Sequence, residues 1–91
     1  MFLGMYRFDG DPSELMAAYD RLIRGFPPGM IELQLCVVRT DGITVLDTCP
    51  SAEVFSEFST SEGFAGALSA AGLPTPTVEP LGDVHHAITP S

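Results

Sequence analysis

The chain has no lysine, no asparagine and no tryptophan, and only two of its 91 residues are cysteine. Its cations are four scattered arginines, Arg7, Arg21, Arg24 and Arg39, set against twelve acidic residues for a net charge of −8. Nucleic-acid binding needs a basic stripe that neutralises phosphates, so no nucleic acid is expected as a partner. An anionic membrane surface is disfavoured on the same ground. No apolar run approaches the roughly 18 residues that cross a bilayer. The N-terminal residues lack the basic, apolar and cleavage regions of a signal peptide, and the expected location is cytoplasmic. Cys36 and Cys49 are too far apart for a C-x-x-C motif and have too few companion ligands for zinc. Both read as reduced, weakly polar core residues. There is no G-x-S-x-G elbow, Walker A loop, G-x-G-x-x-G fingerprint or H-E-x-x-H. No metal, flavin or nicotinamide cofactor is therefore expected.

What is present is strand-like runs placed around well-punctuated helices. With 45% apolar residues the chain reads as one domain, 1–91. The first strand, Phe2 to Phe8, is apolar on both faces, with Phe2, Tyr6 and Phe8 on one side and Leu3 and Met5 on the other. One helix layer covers only one of those faces. A second copy of the chain is the expected cover for the other, giving a homodimer. The first helix begins at Asp11-Pro12-Ser13-Glu14, an N-cap, a first-turn proline and an acidic third position. Leu15, Tyr19, Leu22, Ile23 and Phe26 form its apolar stripe, and Gly25 with Pro27-Pro28-Gly29 ends it. Met30 to Arg39 reads as a strand and Ile43 to Cys49 as its return. Ser51 opens a second helical region with Val54, Phe55 and Phe58 inward. A break or bend is expected near Ser59 to Ser61, after which Phe64, Ala67, Leu68 and Ala71 continue the stripe to a stop at Gly72. Pro74 to Pro80 reads as a connector or irregular edge, and Leu81 to Ile88 as the last strand.

Hairpin register decides which residues share a face. A two-residue Asp41-Gly42 loop would set Val38 opposite Val45. A three-residue Thr40-Asp41-Gly42 loop with Gly42 left-handed sets Val37 opposite Val45 and Cys36 opposite Leu46. The second is preferred, because it gathers Ile31, Leu33, Leu35, Val37, Ile43 and Val45 against the helices. It leaves Gln34, Cys36, Val38, Thr44, Leu46 and Thr48, with Leu3 and Met5, on the open face as a dimer surface or pocket lining. The order β-α-β-β-α-β suggests an α+β, ferredoxin-like sandwich. Its four-stranded antiparallel sheet would run 4-1-3-2, with two helices on one face.

The runs M-F-L-G-M-Y-R-F, G-D-P-S-E-L, R-T-D-G-I-T-V-L-D and G-D-V-H-H-A-I resemble the dimeric α+β barrel superfamily. They are most similar to its small bacterial members related to antibiotic-biosynthesis monooxygenase domains, over nearly the whole chain. The resemblance implies two sheets packed face to face across a dimer. Members include cofactor-free oxygenases, haem-degrading enzymes, lactone isomerases, polyketide cyclases and proteins without known activity, so the fold selects no reaction. The haem-degrading branch uses an Asn, a Trp and a helical His. This chain has neither Asn nor Trp, and its histidines fall outside the expected helices.

Three residues are candidates for chemistry. His85, placed on the open face by strand alternation, is either a general base near neutral pH or a histidine bonded at a dimer seam; His86 points to the helix side. Asp47, in a strand otherwise apolar or hydroxyl-bearing, either caps the helix at Ser51 or is a catalytic carboxylate. Arg7 either holds an anionic substrate or pairs with Asp83. Tyr6 and Tyr19 read as core aromatics with a polar tip. Two functions follow from these readings. One is a cofactor-independent oxygenase or isomerase acting on a small apolar oxygenated molecule of phenol, quinol or polyketide type. The other is a non-catalytic homodimer that binds or interacts.

Overall fold

The computed structural model describes residues 1–27 and 33–88. The chain order is β1 (Phe2–Asp9), α1 (Pro12–Arg24), β2 (Gln34–Arg39), β3 (Gly42–Cys49), α2 (Ala52–Ser59), α3 (Glu62–Ala71) and β4 (Thr77–Asp83). The strands form one antiparallel sheet in the order β2-β3-β1-β4, which from the other edge reads 4-1-3-2. The helices cover one face of it, so the architecture is α+β. Met30, Ile31 and Glu32, expected to open the second strand, lie outside the described residues.

Each helix begins where a side chain satisfies a free backbone N–H. The Asp11 carboxylate accepts from Ser13 N at 3.0 Å, with Pro12 in the first turn. Ser51 Oγ accepts from Val54 N and Ser61 Oγ from Phe64 N, each at 3.2 Å. Three helices replace the two expected, because the hydroxyls between α2 and α3 turn back on the chain. Thr60 Oγ1 donates to Ser56 O at 2.7 Å and Ser61 Oγ to Phe58 O at 2.8 Å, which competes with the helical ladder. Gly72 then closes α3 in the left-handed conformation (φ 91°), with Leu73 N donating to Leu68 O and Leu73 buried. Arg21 of α1 donates to Ala71 O at 3.0 Å, tying the ends of α1 and α3 together.

The helix side of the sheet carries Phe2, Tyr6, Phe8, Ile43 and Val45. They pack with Leu15, Ala18, Phe55, Phe64, Leu68 and Leu73 into one core. Phe55 lies 5.6 Å from both the Phe2 and Tyr6 rings, and Phe64 lies 5.2 Å from Tyr6. Gly4 makes this possible. A Cβ there would come within 1.9 Å of the Phe55 ring, so the bare backbone is the surface on which Phe55 rests.

The hairpin differs from the preferred register. Its loop is Thr40-Asp41, with Arg39 opposite Gly42, Cys36 opposite Val45 and Gln34 opposite Asp47. Gly42 belongs to the strand, because the sheet needs a bare backbone there. A Cβ would sit 2.1 Å from Phe8 O and 2.8 Å from Arg39 Nη2. Moving the pairing by one residue moves side chains across the sheet. Gln34, Cys36 and Val38 therefore stand on the helix side, not the open face, and Leu35 and Val37 take their place in the open. Leu3, Met5, Thr44, Leu46 and Thr48 lie on the open side. Leu35, Leu46 and Met5 form one row across three strands, and Leu35 and Val37 are 53% and 46% exposed.

The last strand also moves, from the expected Leu81 to Ile88 to Thr77–Asp83. Pro80 is tolerated because β4 is an edge strand, and an irregularity between Leu3 and Gly4 accommodates Leu81. Val84 N still donates to Met1 O at 2.8 Å. His85 and His86 follow beyond the ladder, both exposed, so strand alternation assigns neither to a face.

Candidate functional site

The ladder alone brings three polar side chains together on the helix side. Asp47 is two residues from Val45 and shares its face, with Gln34 directly across on β2 and Gly4 directly across on β1. Tyr6, opposite Val45, is the diagonal neighbour of Asp47, a spacing of roughly 7–8 Å between Cα atoms that a long side chain bridges. From above, α1 lowers Tyr19, whose hydroxyl donates to Gln34 Oε1. Cys49 lies further along the same face.

These groups line a cavity of about 580 Å³ between the sheet and the helices. Its apolar wall includes Phe8, Phe55, Phe58, Phe64 and Leu68, and Leu22 and Phe26 of the α1 stripe also face it. Exposed Met1 and Val54 are also among its lining residues. The volume lies within the usual range for a small-molecule site. No arginine lines it: Arg7 and Arg39 serve the far side of the sheet, and Arg21 is bonded to α3.

Two groups in the cavity are in unusual states. Tyr6 is 3% exposed, and its buried hydroxyl has no hydrogen-bond partner among the described residues. Such an orphan is costly in a finished core. Burial, reinforced by Asp47 and then Cys49, pushes the Tyr6 phenol well above its ordinary range, so it remains a protonated donor. The Asp47 carboxyl is pushed up to about 6 by burial, against which the Gln34 amide pulls downward. Burial also raises Tyr19 and Cys49. A carboxylate that exchanges its proton near neutrality beside a fixed phenolic donor can take a proton from a ligand and hold the resulting oxyanion.

Of the residues read as chemical candidates, Asp47 lies in this cavity. It does not cap α2, whose N-terminus is closed by Ser51 itself. Arg7 lies across the sheet, bonded to Asp9 at 3.1 Å and within 3.7 Å of Asp41. It does not pair with Asp83, because the β1–β4 ladder sets Asp83 against Phe2 and Thr77 against Arg7. His85 does not line the cavity either. Gln34, expected in a pocket or dimer surface on the open face, lines this helix-side cavity instead, together with Tyr6 and Tyr19, which read only as core aromatics with a polar tip. The available signal was parity: Ile43, Val45 and Asp47 alternate on one face, so a carboxylate stands in an apolar stripe. Among the described residues no group of three or more His, Cys, Asp or Glu side chains could hold a metal ion. No helix of the described chain is long and apolar enough to cross a membrane. In comparisons with known proteins, no family model, no curated protein and no solved structure matches this chain.

Proposed function

We propose that the chain is a cytoplasmic, ferredoxin-like protein of the dimeric α+β barrel type that performs cofactor-independent proton-transfer chemistry on a small apolar oxygenated molecule. The observation that carries this reading is the aromatic cavity holding a half-buried carboxylate, Asp47, and a buried hydroxyl, that of Tyr6, with no partner among the described residues. Asp47 takes the proton from a phenolic hydroxyl or an enolisable C–H. Tyr6 donates to the oxygen on which negative charge gathers. In an isomerase the proton returns to another carbon; in an oxygenase the electron-rich anion reacts with molecular oxygen. The pocket for this chemistry is the helix-side cavity, while the open face, with its Leu35–Leu46–Met5 row, is the surface offered to a second copy.

Native mass spectrometry of the freshly purified protein, set against its denatured mass, tests both halves. The expected result is a dimer carrying a small non-covalent mass that Phe64→Trp, which fills the cavity, removes. A dimer that remains bare when offered phenols and quinols supports the non-catalytic homodimer instead. A monomer removes the second copy from the reading.

A further inference from the structure

We propose that Tyr19 and Gln34 are positioning residues for Asp47. In this relay the Gln34 amide, engaged by the Tyr19 hydroxyl, presents its NH2 to the ionised carboxylate and its carbonyl to the protonated one. The proposal rests on the reading of Asp47 as the proton acceptor. Three observations support it: Gln34 stands directly across the ladder from Asp47; Tyr19 of α1 donates to Gln34 Oε1; and all three line one cavity.

An amide is an acceptor at one end and a two-proton donor at the other, while an ionised carboxylate only accepts. With Tyr19 donating to Oε1, the amide nitrogen is left for the side of Asp47, across the ladder, and the Gln34 amide pulls the carboxyl's titration down against the burial that raises it. When Asp47 gains a proton it becomes a donor, and the favourable arrangement inverts. The Asp47 hydroxyl then donates to Gln34 Oε1, the amide NH2 donates to Tyr19 Oη, and the Tyr19 O–H is freed to turn into the cavity. No proton passes along the chain. One proton arriving at Asp47 converts Tyr19 from an occupied donor to a free one, next to the ligand that supplied it. The other titratable groups around the carboxylate are Tyr6 of β1, Cys49 of β3 and Cys36 of β2. Asp20 bears on Tyr19 and Cys36, and the amino group of Met1 on Cys49. The α2 and α3 side chains lining the cavity are apolar (Val54, Phe55, Phe58, Phe64 and Leu68).

The test follows the 13C signals of the Asp47 carboxyl and the Tyr19 phenolic carbon with pH in the ligand-free protein. The Tyr19 signal is expected to inflect at the Asp47 midpoint, near pH 6. In Gln34→Leu that inflection disappears, and the Asp47 midpoint rises by about one pH unit, since the amide favouring the charged form is gone. Tyr19→Phe, which removes only the hydroxyl, raises the midpoint by less and serves if Gln34→Leu does not fold. A Tyr19 signal that stays flat while Asp47 titrates overturns the relay. So does a midpoint that neither variant moves. Because these readouts need neither ligand nor turnover, a protein without the proposed activity still passes or fails this test independently.

Discussion

The two faces of the sheet treat their polar groups in opposite ways. On the open side Arg39 is bound on every edge of its guanidinium: Nε to Thr44 Oγ1 at 2.9 Å, Nη1 to Asp41 at 2.5 Å, Nη2 to Phe8 O and Ile43 O at 3.0 and 3.1 Å. Arg7 and Asp9 join the same knot. On the helix side, among the described residues, Asp47 is half-buried without a cation beside it and the Tyr6 hydroxyl has no partner. The open-side arrangement closes a hairpin. The helix-side arrangement leaves hydrogen-bonding capacity unused where water is scarce, as a pre-formed ligand site does.

The largest effect is expected where that site rests on bare backbone. Gly4→Ala places a methyl 1.9 Å from the Phe55 ring, in the middle of the core. Either Phe55 leaves its place against Phe2 and Tyr6 or the sheet backs away. Overpacking of this kind costs about 3 kcal/mol. Urea unfolding should show the loss. The double variant with Phe55→Ala should lose less than the two single variants together, because the second change vacates the space the first demands. Strict additivity would mean that Gly4 and Phe55 are not in the contact described.

The open-side knot should respond less. Arg39→Ala removes donors to two backbone carbonyls and to Thr44 from a side chain only 21% exposed. About 2 kcal/mol of stability should go with them. Arg39→Lys should recover under half of that, since an ammonium cannot reproduce the planar fork. Arg7→Ala, whose side chain is 45% exposed and bonded only to exposed carboxylates, should change stability by less than about 0.5 kcal/mol. Equal effects from the two arginines would erase the distinction between a buried lock and a surface ion pair.

The same contrast explains what was legible in the sequence. The helix starts at Asp11 and Ser51, the break near Ser59 to Ser61, the stop at Gly72 and the two-faced first strand are local signals, and each stands where its chemistry puts it. The hairpin register was not local. Gly42 looked like a turn glycine, but its lack of a Cβ is demanded by β1, more than thirty residues away in sequence. That one-residue difference exchanged Gln34 and Cys36 for Leu35 and Val37 across the sheet, and with it hid the partner of Asp47. Tyr19, Leu22 and Phe26 form the kind of stripe that normally packs solidly, and nothing in their spacing distinguishes a core from a cavity wall. Asp47 itself was visible, as a carboxylate out of place among apolar neighbours.

Asp9 and Asp47, carboxylates of adjacent paired strands, offer the subtlest test, because their contributions to stability have opposite sign. Asp9 is held below the ordinary carboxylate range, chiefly by its bond from Arg7. Its contribution is present above the unfolded-state value and is lost as pH falls through the lowered one. Asp47 is raised to about 6 from 3.8, chiefly by burial. The folded state therefore holds its proton more tightly than the unfolded chain does. Stability falls as pH rises between about 4 and 6, and the deficit persists above that window. Asp47→Asn should accordingly unfold at higher temperature than the parent at pH 7.5. The gain is on the order of 1 kcal/mol once discounted for the solvent that the cavity admits, and it should vanish below pH 4. Asp9→Asn should be the less stable variant at pH 7.5 and match the parent only in strong acid. An Asp47→Asn protein that is weakened at neutral pH would mean the carboxylate holds the fold together, and the helix side would then be a finished core like any other. A protein stabilised by the loss of this half-buried carboxylate would instead have been keeping it, against its own stability, for a ligand.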